Sequence, residues 1–177
     1  MRVISGKYKG RVLEGFNIDG TRPTMDRVKE SMFAMIQNRI NGSVVLDLFA
    51  GSGALGIEAI SNGASKVYFV DNSDDVSKVL KKNLRDMTDY EIMITDYNKA
   101  LKYFRDNKIK FDLIILDPPY DRHFINKILS FIYDNDLLNG NGLIITEYET
   151  ERIATTKFNV YKSRKYGSKT VTIFDIA

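Results

Sequence analysis

Apolar positions along the chain fall into short blocks separated by polar, helix-forming stretches. Val44-Val45-Leu46 is a β-branched apolar run that stops at a glycine cluster, as a buried parallel strand does. Gly53 to Asn62 reads as a helix, with Gly63 where a C-terminal cap glycine belongs. Lys66 to Val70 reads as a second strand ending at Asp71. Ser73 then predicts an N-cap, with Asp74 and Asp75 favourable in the first turn of a helix to about Arg85. Strands at 91–95 and 111–116 and helices at 98–106 and 124–133 continue the alternation. A fifth strand, 143–146, follows the turn residues Asn139-Gly140-Asn141-Gly142. Strands and helices alternating with short connections specify an α/β, doubly wound, mostly parallel sheet.

Both ends of the chain depart from this rhythm. Phe158 to Tyr161 and Thr170 to Phe174 predict two strands joined around Gly167-Ser168, adding antiparallel pairing at one edge. At the other end, Arg2 to Ile4 and Arg11 to Leu13 flank Gly6-Lys7-Tyr8-Lys9-Gly10 and predict a basic β-hairpin. Thr24, after the extended Thr21-Arg22-Pro23, predicts an N-cap for a helix to about Ile40, with Val28, Met32, Met35 and Ile36 on its core-facing stripe. The chain therefore divides into an N-terminal appendage, 1–40, and a Rossmann-like domain, 41–177.

Composition narrows the chemistry. The 177 residues, 44% of them apolar, suffice for one sizeable core. The absence of cysteine excludes disulfides, thiolate metal sites and cysteine nucleophiles, and a single histidine, His123, excludes a histidine-rich metal centre; no metal is expected. The opening residues lack a signal-peptide apolar region, and no run nears the roughly 20 apolar residues of a membrane span, so a cytoplasmic protein without membrane contact is expected. The net charge of +3 is unevenly spread: residues 1–40 carry eight Lys/Arg against four Asp/Glu, residues 151–177 six against two, and the middle twelve against seventeen. Basic ends point towards a polyanion.

The candidate chemistry lies in the acidic middle. Gly51, Gly53 and Gly56 spell G-x-G-x-x-G between a strand and a helix, the context in which a glycine loop lets a nucleotide approach the backbone closely. Dinucleotide dehydrogenases share that spelling, so the loop alone leaves the ligand open. Asp71 ends the second strand 20 residues after Gly51, where a ribose-binding acid is expected, and Asp96 follows the third. Asp47, Asp71, Asp96 and Asp117 all stand at strand ends and should converge on one crevice.

Asp117-Pro118-Pro119-Tyr120 separates the alternatives. The lone pair of an exocyclic base amine is delocalised into the ring, which makes the nitrogen a poor nucleophile. A carboxylate and a backbone carbonyl that accept its two N–H bonds rotate the lone pair out of conjugation and aim it at an electrophilic methyl. Asp117 and the Pro118 carbonyl supply those acceptors, and proline rigidity fixes them. Tyr120 offers a ring on which an extruded base can stack.

With these residues in view, the chain resembles the S-adenosylmethionine-dependent methyltransferases, and most closely the bacterial 16S ribosomal RNA guanine-N2 methyltransferase family. The match rests on Arg2 to Gly10, Thr21 to Glu30, Asp47 to Gly56 and Asp117 to Tyr120. The resemblance implies a seven-stranded sheet of order 3-2-1-4-5-7-6 with the last strand antiparallel. It implies that Asp47, Phe49, Gly51, Ser52 and Gly53 hold the cofactor S-adenosylmethionine, that Asp71 binds its ribose, and that Asp96 or its neighbours meet the adenine. Asp117, Pro118 and Tyr120 would hold the guanine. Ribosomal RNA or a small-subunit particle would be gripped by the basic hairpin and the helix after Pro23, through Arg2, Lys7, Lys9, Arg11, Arg22 and Arg27, with the protein acting as a monomer. Two rivals remain: a DNA adenine-N6 methyltransferase, which uses the same amine clamp, and an NAD-binding oxidoreductase, favoured only by the glycine spelling. His123 reads as a surface residue at a helix start.

Overall fold

The structure is a computed structural model that describes residues 1–15, 23–119, 123–154 and 157–176, with the side chains of 23–25 set aside. Tyr120 and Arg22 lie outside the described residues. Among the described residues, twelve named elements and a short 3-10 turn follow in order. They are α1 (Pro23–Ile36), β1 (Val44–Asp47), α2 (Ala54–Ser61), β2 (Lys66–Asp71), α3 (Asp74–Asn83), β3 (Tyr90–Ile94), α4 (Tyr97–Asp106), β4 (Phe111–Leu116), α5 (Ile125–Asp134), β5 (Leu138–Tyr148), β6 (Phe158–Tyr166) and β7 (Lys169–Ile176). The strands form one seven-stranded sheet of order β3-β2-β1-β4-β5-β7-β6, parallel except for the β5–β7 and β7–β6 pairs. This is the architecture implied by the resemblance.

Strand alternation divides the core into two layers. Val45, Val67, Phe69, Leu113, Ile115 and Ile145 face Met32 and Ile36 of α1, Ile57 of α2 and Leu80 of α3. Leu46, Val70, Ile114, Leu116 and Ile144 face Leu101 and Phe104 of α4 and Ile128, Leu129 and Ile132 of α5. The strand order reverses between β1 and β4, so the carboxyl ends of those two strands flank the point where an α/β sheet opens a crevice.

The predicted elements differ from the observed ones in three instructive places. The turn residues Asn139 to Gly142 lie inside β5. Its register against β4 jumps from Phe111↔Leu138 to Leu113↔Leu143, so the extra residues are taken up as a bulge while pairing resumes beyond them. The strands β6 and β7 extend well past the apolar cores that suggested them, because Lys162 to Lys165 sit on an outer strand where polar side chains face water and discourage further pairing. Ser73 occupies the N-cap of α3 without a hydroxyl cap bond; its amide instead donates to Asp71 Oδ1 at 3.1 Å.

The N-terminal hairpin is closed by a single bridge, Arg2↔Val12, and by backbone bonds such as Val3 N to Arg11 O at 2.9 Å. Val3 and Leu13 are buried in the same core as α1 and the sheet. Charge holds it as well: buried Glu58 of α2 accepts the Ile4 amide at 2.9 Å, and buried Lys29 of α1 donates to the Arg2 carbonyl at 2.7 Å. Burial raises the Glu58 pKa and lowers that of Lys29, and their mutual attraction opposes both shifts. Gly6 makes the close approach possible. Its φ is +81°, and a Cβ there would sit 2.0 Å from the Ser61 carbonyl oxygen.

Candidate active site

A crevice of about 630 Å³ opens at the carboxyl ends of the parallel strands. Its walls come from the segment after β1 (Leu48, Phe49, Gly51), the ends of β2 and β3 (Asp71, Asn72, Thr95, Asp96, Tyr97), the segment after β4 (Asp117, Pro118, Pro119), and Phe124 and Lys169. Its volume is typical of small-molecule sites.

The glycine loop is built from the backbone outward. Gly51 and Gly53 have φ of +55° and +84°, the left-handed region that glycine enters without strain. Gly51 lines the crevice, and a Cβ placed on it meets no protein atom within 4 Å, so the loop presents bare backbone to open space. Asp71 holds the loop from the neighbouring strand: its Oδ2 accepts the Gly51 amide at 3.0 Å while Oδ1 accepts Ser73. A carboxylate offers about four lone-pair sites, so Asp71 keeps capacity for a ligand hydroxyl.

Asp47 plays a different part. It is buried, does not line the crevice, and its Oδ2 accepts the Gly56 amide at 3.0 Å from beneath the loop. Gly56 permits this contact because any Cβ there would lie 2.3 Å from the Phe69 ring and 3.1 Å from Asp47 Oδ2. Burial pushes the Asp47 carboxyl up to about 7, against the pull of the Gly56 hydrogen bond. Ser52 and Gly53 also lie behind the wall. The Ser52 carbonyl accepts from Asn83, whose side chain bonds both the amide and the carbonyl of Glu14, tying the N-terminal arm to the loop.

Asp96 lines the crevice and caps α4, accepting the Asn98 amide at 2.8 Å. Phe49 stacks on Phe124 with ring centroids 6.2 Å apart, and Tyr97 lies 4.8 Å from Phe124 and 5.5 Å from Phe49, forming an aromatic wall. Asp117 and Pro118 stand on the opposite side of the strand-order switch. Burial, followed by the charges of Glu147 and Asp47, pushes the Asp117 carboxyl up to about 8, with Lys169 pulling the other way.

Sequence reasoning missed Tyr97, Phe124, Glu147 and Lys169. Tyr97 could have been found as the residue following a strand-end acid. Lys169 could not, because only antiparallel pairing of β7 with β5 carries it to the crevice. Of the basic residues expected to grip RNA, Lys7, Lys9 and Arg27 are exposed. Arg11 is partly committed: it lies 4.8 Å from the Tyr8 ring and donates to the Arg85 carbonyl at 2.9 Å, while Arg2 donates to the Gly10 carbonyl at 3.4 Å. His123 is exposed and does not line the crevice. Among the described residues, no group of three or more His, Cys, Asp or Glu is placed to hold a metal ion, and no helix is long and apolar enough to cross a membrane.

Comparison with known proteins agrees with this fold. Residues 1–175 match the family model described as "Conserved hypothetical protein 95". The "Putative rRNA methyltransferase YlbH" of Bacillus subtilis is 38% identical over 98% of each chain. The "Ribosomal RNA small subunit methyltransferase D" of Haemophilus influenzae is 37% identical over 90% of this chain and 84% of its own. Among solved structures, "Putative methyltransferase yhhF" from Escherichia coli superposes with a TM-score of 0.86 at 28% identity, over 99% of this chain and 97% of its own. With a family match along almost its whole length and relatives of this identity, the chain belongs to the bacterial small-subunit ribosomal RNA methyltransferase family.

Proposed function

We propose that this protein transfers the methyl group of S-adenosylmethionine to the exocyclic N2 amine of a guanine in 16S ribosomal RNA. The observation that carries the reading is the convergence of Gly51 and Asp71 with Asp117 and Pro118 on one crevice. The first pair suits a nucleoside and the second an amine. The residues fit the cofactor. Gly51 leaves backbone bare beside open space, Asp71 has acceptor capacity for ribose hydroxyls, and the carboxylates of Asp71, Asp96 and Asp117 favour a cation. When bound, the cofactor supplies an electrophilic methyl on a sulfonium.

In this reading the Phe49–Tyr97–Phe124 wall and Asp96 serve the adenosine end. Asp47, Ser52 and Gly53 act at one remove, by holding the loop in shape. Asp117 and the Pro118 carbonyl accept the two amine N–H bonds and orient the lone pair, with Tyr120 stacking on the base. Positioning of this kind can be worth about 7–11 kcal/mol of barrier. The methylated amine is cationic and sheds its proton readily, to Asp117 or to water, so no strong general base is needed. Asp117 would be favoured in its ionised, accepting form by a cationic methyl donor held in the crevice, which would couple cofactor binding to readiness of the clamp.

Lys7, Lys9, Arg22 and Arg27 serve RNA, and residues 1–40 form the substrate-gripping region of a monomer that works in the cytoplasm. The test is transfer of labelled methyl to small-subunit particles, 16S RNA and duplex DNA, followed by mass mapping of the modified nucleotide. N2-methylguanosine in the RNA is expected; N6-methyladenine in DNA would overturn the reading. Because Val3 and Leu13 are core residues, the RNA grip is probed by Lys7→Gln with Lys9→Gln rather than by truncation. The slope of log affinity against log salt should shrink by roughly 1–2.

A further inference from the structure

The crevice has two ends. Gly51, Asp71, Thr95 and Asp96 line it beside β1, β2 and β3, whereas Asp117 and Lys169 line it beside β4 and β7. On that second side the strand ends form a row. Asp117 and Glu147 each follow the last residues that β4 and β5 pair with one another, Leu116 and Thr146, and β7 pairs Val171 with Glu147 two residues beyond Lys169. The Lys169 ammonium lies 3.1 Å from Glu147 Oε1. Its side chain is 28% exposed, while that of Glu147 is 10% exposed. A buried carboxylate thus anchors a lysine that still reaches the crevice, and among the described residues lining the crevice this lysine is the only cation.

Resting on the guanine-N2 reading, we infer that Lys169, held by Glu147, determines base specificity by donating a hydrogen bond to guanine O6. The chemistry follows from the two purines. In guanine, the ring carbon bearing the N2 amine is joined through N1 to the carbon bearing O6, an acceptor. In adenine, the carbon bearing the N6 amine is joined through N1 to a carbon bearing only hydrogen. With either amine clamped by Asp117 and Pro118 in the same orientation, guanine places the O6 acceptor where adenine has only a C–H, and adenine's acceptor on that edge, N1, adjoins the amine-bearing carbon, short of a donor placed for O6. Lys169 is also close enough to Asp117 to act on its carboxyl, which sets it on the Asp117 side of the crevice.

The test pairs a protein change with an atomic change in the substrate. Wild type, Lys169→Met and Lys169→Gln would be assayed on RNA carrying the target guanine or 2-aminopurine, which keeps the N2 amine but has hydrogen in place of O6 and an unprotonated N1 in place of N1–H. Wild type should prefer guanine. Lys169→Met should lose about 10–100-fold in kcat/KM on guanine with little further loss on 2-aminopurine, and Lys169→Gln, which retains a donor, should recover part of it. S-adenosylmethionine affinity, measured by calorimetry, should stay unchanged, which also verifies folding. Equal losses on both substrates, a weakened cofactor, or a wild type indifferent to O6 would each overturn the role of Lys169. Absence of guanine methylation by wild type would instead overturn the guanine reading itself.

Discussion

The two ends of the crevice hold their carboxylates in opposite ways. On the β1–β3 side, Asp71 and Asp96 accept backbone amides from Gly51, Ser73 and Asn98, so the acids also serve as struts for the loops they follow. On the β4–β7 side, Asp117 stands among buried groups and the like charges of Glu147 and Asp47, and its carboxyl rises to about 8. In the proposed reading, the first end holds a neutral polyol and a ring. The other keeps a carboxylate in tension until a cation or an amine relieves it. Under the proposed function, a site that binds one molecule firmly and acts on another briefly benefits from this division, because the carboxylate is relieved only when a cation or an amine is in place.

The contrast is broken most directly at the strained end. Asp117→Ala should lower turnover by about 10³-fold or more while calorimetry shows S-adenosylmethionine still bound; retained activity would remove Asp117 from the clamp. At the satisfied end, Asp71→Ala should weaken cofactor affinity by roughly 10–100-fold, since it removes charged hydrogen bonds and loosens Gly51. Its turnover at saturating cofactor should change less, and the reverse pattern would erase the distinction between the two ends.

Gly53→Ala tests whether the loop must keep its left-handed turn. The new Cβ would combine a φ of +84° with a 2.3 Å approach to Leu80 Cδ1, for a loss of about 2 kcal/mol visible as a lower Tm. The smallest expected effect concerns pH. In the proposed clamp Asp117 must be ionised, so kcat/KM should climb as the pH rises towards about 8. The sign for stability is opposite. Between about 4 and 8 the folded chain retains a proton at Asp117 that the unfolded chain has released, so that contribution to stability falls as the pH rises through the window. Asp117→Asn should therefore raise Tm relative to wild type at pH 8.5, with the gap closing towards pH 4, while its activity should be lost. A constant gap would show that ionisation is not its cause.

The parallel half of the fold was legible because β-branched runs, helix caps and strand-end acids are local signals. Asp71, Asp96 and Asp117 were all expected at the crevice for that reason, and all line it. Asp47 carries the same local signal yet points beneath the loop to Gly56, since its place in the sheet buries it. The β5 bulge was misread because turn residues look alike whether they end a strand or interrupt one.

By itself the sequence determined the order and type of the elements, the glycine loop and the position of the Asp117-Pro118-Pro119 segment at the end of a strand, because each depends on residues close together in the chain. Only the tertiary structure decided that the basic N-terminal arm packs into the core through Glu58 and Lys29. It likewise decided that an aromatic wall of Phe49, Tyr97 and Phe124 lines the crevice, and that Lys169 and Glu147 stand beside Asp117. The physical reason is common to all three. Desolvation, ring stacking and ion pairing act through space between residues far apart in sequence, and their partners exist only once the strands have taken their order.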